Sequence, residues 1–307
     1  SSYISGLAVV TATSGAVVTS TSVTFLPGPA WQISLDADPD HIGADGVSTA
    51  YITATVTDLH GNLVADGTAV TFATSRGTLA APLVRTTVAG KAYIPLTSSL
   101  SAGIAYITGT VGARSGSTMV AFDQRVNAGG PLYIGVDGKR WAADKQYSVG
   151  SWGYDTGQVY SVTNPIALTL DDPLYQSERF SMNQYLFTVP NGGYTVTLKM
   201  AELYVTAPNL RRFNVLIEGV PVLTNYDLFA VTTGRYIARD ETFVTTVSDG
   251  ILNIAFQVVL NAAKVNGIEI QPILPAPPAP TPTPTATPTT TSTPTITSTP
   301  TRTGTPT

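Results

Sequence analysis

Two kinds of side chain in this 307-residue sequence could do chemistry: carboxylates and aromatic rings. The carboxylates fall in two groups. Asp36, Asp38, Asp40 and Asp45 read D-A-D-P-D-x4-D-G, the oxygen-rich pattern of a calcium loop. The EF-hand spacing fails, because Pro39 interrupts it and no Glu closes the loop. These acids are expected to edge a strand-to-strand corner and face water. Asp171, Asp172, Glu202 and Asp227 could supply the acid pair of a glycosidase, which must sit about 5–10 Å apart across a cleft. No motif fixes such a pair, so the expectation is no catalytic residue and no enzyme. The two histidines, His41 and His60, leave little for a zinc centre and read as solvated loop residues. With no cysteine there is neither a disulfide framework nor a thiolate metal site. No metal or cofactor is expected.

The rings are unevenly placed. Residues 125–273 hold eighteen of the 26 aromatics: Trp141, Trp152, ten Tyr and six Phe. One sandwich core cannot satisfy that many phenol hydroxyls internally. Tyr and Trp at loop ends suit stacking on the apolar face of a sugar, with hydroxyls bonding the ring edge. A few of the eighteen are expected to face a ligand, since pockets use few oriented polar groups.

The elements that must position these groups are strands. Ala50, Ile52, Ala54 and Val56 alternate with Thr or Tyr; so do Ala92, Ile94 and Leu96, then Tyr194, Val196, Leu198 and Met200, then Phe213, Val215 and Ile217. Period two means strands with one buried face. Turn signals separate them at Asp45-Gly46, Asp66-Gly67, Asn191-Gly192-Gly193 and Asp249-Gly250. No segment sustains a 3.6 period. The class is all-β, built of sandwiches. Charged residues make up only 12%, and a net charge of −4 argues against nucleic-acid binding. No run of 18 apolar residues spans a membrane. The start, SSYISGLAVV, does not read as a signal peptide and is expected to be a cut inside something longer.

Composition shifts at the other end. Eleven of 22 prolines lie between Pro272 and Pro306, and fifteen of the 27 residues from Thr281 to Thr307 are Thr. Such a tract lacks the apolar surface to offset the entropy of ordering, and should be a disordered, polyproline-like spacer. Thr/Pro tracts also host O-linked sugars on secreted proteins.

A repeat marks the N-terminus. Residues 1–25 align without gaps to residues 98–122, with twelve identities that include Gly6/Gly103, Gly15/Gly112, Val23/Val120 and Phe25/Phe122. Each copy is strand, Gly turn, strand. Residues 1–25 therefore read as the last hairpin of one module, and 26–124 as the next complete one. A period near 100 residues is the size of an immunoglobulin-like sandwich. A lone hairpin is marginal, so it should pack on the next module, pair with another chain, or be poorly ordered.

The complete module resembles the bacterial Ig-like (Big-1) domains of invasin and intimin adhesins. The residues that carry this run from Ile33 to Leu79, with the ADG, TVTDLHGN and VTF…GTL blocks in order, then Gly90-Lys91-Ala92 and LTSSLSAGIAYITGT. The resemblance implies a non-enzymatic rod module.

Residues 125–273 resemble malectin and the malectin-like carbohydrate-binding modules. The blocks are VNAGGP, LYQSERF, YTVTLKMAELY, RFNVLIEGVPVL, SDGILNIAF and KVNGIEI. The resemblance implies a jelly-roll β-sandwich and a glycan face of loop aromatics with an acid. Carried over, that face comprises Trp152, with Tyr154 close by, Phe180, Tyr204 and Asn261. Val205 stands where the family has a further Phe, and Asn261 where it has the acid. Tyr194, Val196, Leu198, Met200, Glu202 and Tyr204 share a strand parity, so Glu202 on a core row needs a partner. Arg179 and Arg212, both in family blocks, are the candidates for a structural Glu–Arg pair.

The expected organisation is residues 1–25, 26–124, 125–273 and a linker, 274–307. The expected function is a non-catalytic, secreted or cell-surface carbohydrate-binding segment whose partner is an oligo- or polysaccharide, glucose-containing by the resemblance. The alternative is a structural subunit or stalk of an extracellular filament, contacting neighbours through the N-terminal hairpin.

Overall fold

A computed structural model of the chain describes residues 3–276. The spacer and O-glycosylation expectations fall on residues outside the described ones.

The period-two runs form strands with their apolar rows inward. In Thr49–Thr57, Ala50, Ile52, Ala54 and Val56 are fully buried while the intervening residues reach the surface. This strand lies between Gln32–Asp38 and Lys91–Thr97, and Thr78–Leu79 completes a four-stranded sheet. Its apolar face meets Val70, Phe72, Ala105, Ile107, Val120 and Phe122 from the strands Ala69–Thr74, Gly103–Val111 and Arg114–Asn127. Each large side chain so buried contributes roughly 1.5–3 kcal/mol. This is the first sandwich.

The second sandwich packs Val196, Leu198, Ile268 and Ile270 against Tyr185, Phe187, Phe213, Val215, Leu252 and Ile254. The former row sits on Gly192–Met200 and Gly267–Pro272; the latter on Gln184–Thr188, Arg212–Ile217 and Ile251–Leu260. A three-stranded sheet, Gln158–Ser161, Ser177–Phe180 and Lys264–Val265, flanks them. Only two helices occur among the described residues, Asp172–Tyr175 and Leu228–Thr232, too short to show a helical period in sequence. None is long and apolar enough to cross a membrane.

The two sandwiches share a strand rather than a linker. Arg114–Asn127 pairs with Gly103–Val111 through Phe122, and then Gln124–Asn127 pairs with Gly267–Pro272. Ions reinforce the crossing. His41 Nδ1 lies 3.0 Å from Asp123, Arg125 Nη2 2.8 Å from Asp123, and Arg125 Nε 2.6 Å from Glu269. His41 is thus a half-buried junction residue, not a solvated one; its partner lies 82 residues away, beyond any local reading. Among the acids of the corner, Asp36, Asp38 and Asp40 are exposed as expected, but Asp45 is not free. It accepts from the Val47 and Ser48 amides and the Ser48 hydroxyl. Burial works against its carboxylate, yet these bonds outweigh burial and hold it below the usual range.

The hydrogen bond to Asp123 raises the His41 imidazole above its ordinary value of about 6.5. A raised folded-state value stabilises in full below the unfolded pKa, and the effect fades as pH rises through the folded value. Between pH 5.5 and 8.5, melting temperature should therefore fall more for the native chain than for His41→Gln. Parallel curves would contradict this.

Residues 6–25 form an isolated hairpin, Gly6–Ser14 with Val17–Phe25. It is tied to the first sandwich at its base. Ser5 N donates to Asn62 Oδ1, Asn62 Nδ2 donates to the Tyr3 carbonyl, and the Tyr3 and His60 rings lie 4.4 Å apart. Beyond that base its faces are open. Phe25 is 38% exposed where its repeat equivalent Phe122 is 0%, and Val10 is 56% exposed where Ile107 is 0%.

Candidate functional site

The second sandwich presents a concavity of about 250 Å³ lined by Tyr160, Glu178, Phe180, Tyr204, Arg211 and Asn261. Two strands and the loops that carry Tyr204, Arg211 and Asn261 build it. Tyr160 on Gln158–Ser161 lies opposite Glu178 in register, and Phe180 ends the Ser177–Phe180 strand. Gly129 lets the VNAGG loop press on that strand: its φ is +76°, and a Cβ there would lie 2.6 Å from the Glu178 carbonyl oxygen. Asn261 follows Ile251–Leu260 with φ +67°, a left-handed conformation Asn tolerates. Tyr204 is 58% exposed, and its ring meets Tyr160 edge to face at 5.8 Å. The exposed Asn261 amide makes no hydrogen bond among the described residues.

The base is a buried charge cluster. Arg211 Nη1 donates to Glu202 Oε1 at 3.2 Å and Oε2 at 3.3 Å, and to Glu178 Oε1 at 3.3 Å. Lys264 Nζ lies 3.1 Å from Glu178 Oε2 and donates to Asn266 Oδ1 and the Ala201 carbonyl. All four ions are nearly or wholly buried. Burial pushes the Lys264 ammonium down, against the opposing pull of Glu178 and Glu202. Glu202 Oε1 also accepts from the Tyr204 and Val205 amides. The cluster thereby fixes the turn that carries Tyr204. Two carboxylates face two cations, so the base is neutral as a unit and donates little net charge to a ligand.

The structure brings together Phe180, Tyr204 and Asn261 of the expected face and separates the rest. Trp152 is only 7% exposed and packs in the core 6.2 Å from Phe187. The strand Trp152–Tyr154 alternates into that core, which overrides the loop position assigned to it. Tyr154 is half-buried, with the Arg179 guanidinium 3.4 Å above its ring. Val205 is buried and supplies no ring.

The expected Glu202 pair is also corrected. Glu202 is buried, but its partner is Arg211. Arg179 instead donates to Asp144 Oδ2 at 2.7 Å and to the Gly157 carbonyl. Arg212 is half-buried and its Nε has no hydrogen-bond partner among the described residues. The signal was present: Arg211 has the parity of Phe213, Val215 and Ile217, the inward row. The parity from Tyr194 to Glu202 did not extend to Tyr204, because the strand ends at Met200. Tyr160 had no local signal, since only pairing with Ser177–Phe180 brings it to the site.

The other acids are engaged elsewhere. Asp171 accepts from the Tyr133 hydroxyl and the Val136 amide, and Asp227 caps Leu228–Thr232 through the Ala230 amide. Neither lines the concavity.

Residues 122–272 match the family model described as Malectin domain, and residues 32–123 match Bacterial Ig-like domain (group 1). The chain joins a bacterial Ig-like domain to a malectin domain. Malectin of Mus musculus is 28% identical over 153 residues, 49% of this chain and 52% of that protein. A probable LRR receptor-like serine/threonine-protein kinase of Arabidopsis thaliana is 32% identical over 125 residues, 36% of this chain and 12% of that protein. The chain thus spans about half the length of the malectin and a small part of the kinase. Among solved structures, a Bacteroides uniformis β-glucuronidase aligns with a TM-score of 0.48 and 18% identity over 78% of this chain and 30% of that one. The malectin domain carries the whole concavity, and its match begins in the strand it shares with the Ig-like domain.

Proposed function

We propose that the malectin domain is a non-catalytic module that binds uncharged saccharides in the concavity of Tyr160, Phe180, Tyr204 and Asn261. The observation that carries this reading is the meeting of one exposed ring, Tyr204, and two half-buried ones, Tyr160 and Phe180, with the exposed Asn261 amide above a charge-compensated base. Aromatic faces take the apolar face of a sugar, and Asn261 offers one acceptor and two donors to its hydroxyls. A neutral base favours a neutral ligand, because an added charge would meet no unopposed counter-charge. The family match supports a glycan as the ligand class, with a glucose-containing one first in order of trial. A cavity of 250 Å³ lies just below the ~300–1,000 Å³ of drug-sized sites and suits a short saccharide end.

Residues 26–124 act in this reading as a rod module and 125–273 as the binding module, on an exported or surface-displayed protein. Residues 1–25 are the hairpin of a preceding repeat, and 274–307 a spacer. Calorimetry of the full chain against neutral gluco-oligosaccharides tests the function. Binding of at least one, competed by its longer forms, is the expected result; no heat with any neutral glycan would sink it.

A second reading, a structural subunit that packs through its hairpin, is favoured by one observation. The hairpin leaves Val10, Val23 and Phe25 open where the equivalent residues of the Ig-like domain are buried. Concentration-dependent sizing separates the two: a persistent monomer argues against the subunit.

A further inference from the structure

A second cavity, of about 450 Å³, lies at the junction of the two domains and shares no lining residue with the concavity. The Ig-like domain contributes Asp45 and Leu100, the malectin domain Arg140, Lys145 and Trp152, and the shared strand Gln124. Domain junctions are preferred places for ligand sites.

Asp45, Asp123, Arg125, Arg140 and Lys145 line it, and of the three cations two are paired with carboxylates, Arg125 with Asp123 and Glu269 and Arg140 with Asp45. Both carboxylates are already engaged. Asp45 holds the Ser48 and Val47 amides and lies 3.1 Å from Arg140 Nε; Asp123 holds His41 and Arg125. Arg125 is taken up by Asp123 and Glu269. Among the described residues Lys145 has no carboxylate partner. Its Nζ donates to Ser151 Oγ at 2.7 Å and sits 4.4 Å from the Trp152 ring centroid. Burial lowers the Lys145 ammonium and no acid opposes it.

Gln124 adds an independent sign. It is 4% exposed, and its Oε1 is buried without a hydrogen-bond partner among the described residues. A buried acceptor left open calls for a donor. Ser101 and Ser151 also line it, and Ala44, Ala142, Ala143, Leu100, Leu132 and Trp152 give it an apolar wall. A small inorganic anion would leave that wall unmatched, and a neutral sugar would leave Lys145 unmatched.

We propose that the junction cavity binds a pyranose bearing an anionic substituent, a carboxylate or a sulfate. The anionic group meets Lys145 and Arg140, the ring lies on the apolar wall, and a ring hydroxyl donates to Gln124 Oε1. The site does not depend on the neutral-glycan reading of the concavity.

Calorimetry of the full chain tests it with three probes of equal length: an oligogalacturonate, a sulfated galacto-oligosaccharide and the neutral galacto-oligosaccharide. One or both anionic probes should bind, and which of them binds identifies the substituent. Lys145→Ala should weaken that binding about tenfold, and Lys145→Glu should abolish it. Arg140→Gln supplies a second variant, and added salt should weaken the complex. Tyr204→Ala should leave it unchanged, which separates this site from the concavity. The proposal is overturned if no anionic probe binds at millimolar concentration, if the neutral probe binds the Tyr204→Ala chain as tightly as the anionic ones, or if both Lys145 variants bind like the native chain.

Discussion

Arg211→Ala should unfold the malectin domain at a markedly lower temperature. Arg211 is 3% exposed and is the cation that holds both Glu202 and Glu178, themselves 0% and 1% exposed. Its removal leaves Glu178 with Lys264 but strips Glu202 of its ion pair, leaving that buried carboxylate only the Tyr204 and Val205 amides. Breaking a buried ionic arrangement by deleting one partner costs about 3–5 kcal/mol, because the remaining charge cannot regain water. For a domain of this size that lowers the melting temperature by roughly 10 °C. Arg211→Lys should lose less, since the charge stays while the fork of donors is lost. Scanning calorimetry reads both. A shift of only about 2 °C for the alanine variant would mean that water or relaxation rescues the cluster. The charges are not retained for stability alone: a well-packed apolar set can replace such clusters without loss. Here Glu202 Oε1 takes two amides of the turn carrying Tyr204, so the cluster sets the ring's position.

Tyr204→Ala should abolish most saccharide binding while leaving the melting temperature nearly unchanged. The ring is 58% exposed and contacts Tyr160 alone among the aromatic rings described, so its loss removes little core packing. A stacking ring at the centre of a small site is the kind of residue whose truncation costs 2 kcal/mol or more, about thirtyfold in affinity. Asn261→Ala should cost less, about the 0.5–1.5 kcal/mol of a neutral hydrogen bond. Trp152→Ala gives the opposite pattern. It lies in the core beside Phe187, so it should destabilise the fold by about 3–5 kcal/mol. At a temperature where it remains folded, its glycan affinity should match the native chain. Calorimetric titration and thermal melts of the three variants provide the check. A Trp152→Ala chain that is stable but does not bind, beside a Tyr204→Ala chain that does, would return the site to the loop before Asp155.

The two results bear on the same division. Strand periodicity is local, and the rows Ala50–Val56, Tyr194–Met200 and Phe213–Ile217 declared their buried faces in the sequence. The all-β class, the 97-residue repeat and the two resemblances followed from residues alone, and the resemblance to malectin named Phe180, Tyr204 and Asn261, which the structure places around one concavity. The partner of Glu202 was legible too, once the inward row of Phe213 was read one step further back to Arg211. What alternation could not say is where a strand stops. The strand ends at Met200, and this puts Glu202 in the core while releasing Tyr204 to solvent, although their parity is the same.

The sequence by itself determined the kinds of domain and the rings available to a site, because periodicity and motif spacing are properties of neighbouring residues. The tertiary structure alone decided which rings meet. Tyr160 joined Tyr204 through sheet pairing, and Trp152 was drawn into the core by its own strand. It alone also decided that His41 and Asp45 belong to a junction, where Lys145 is left without an acid. Their partners come from distant parts of the chain, and only the packing of one sandwich on the next sets the distances on which charge and stacking depend.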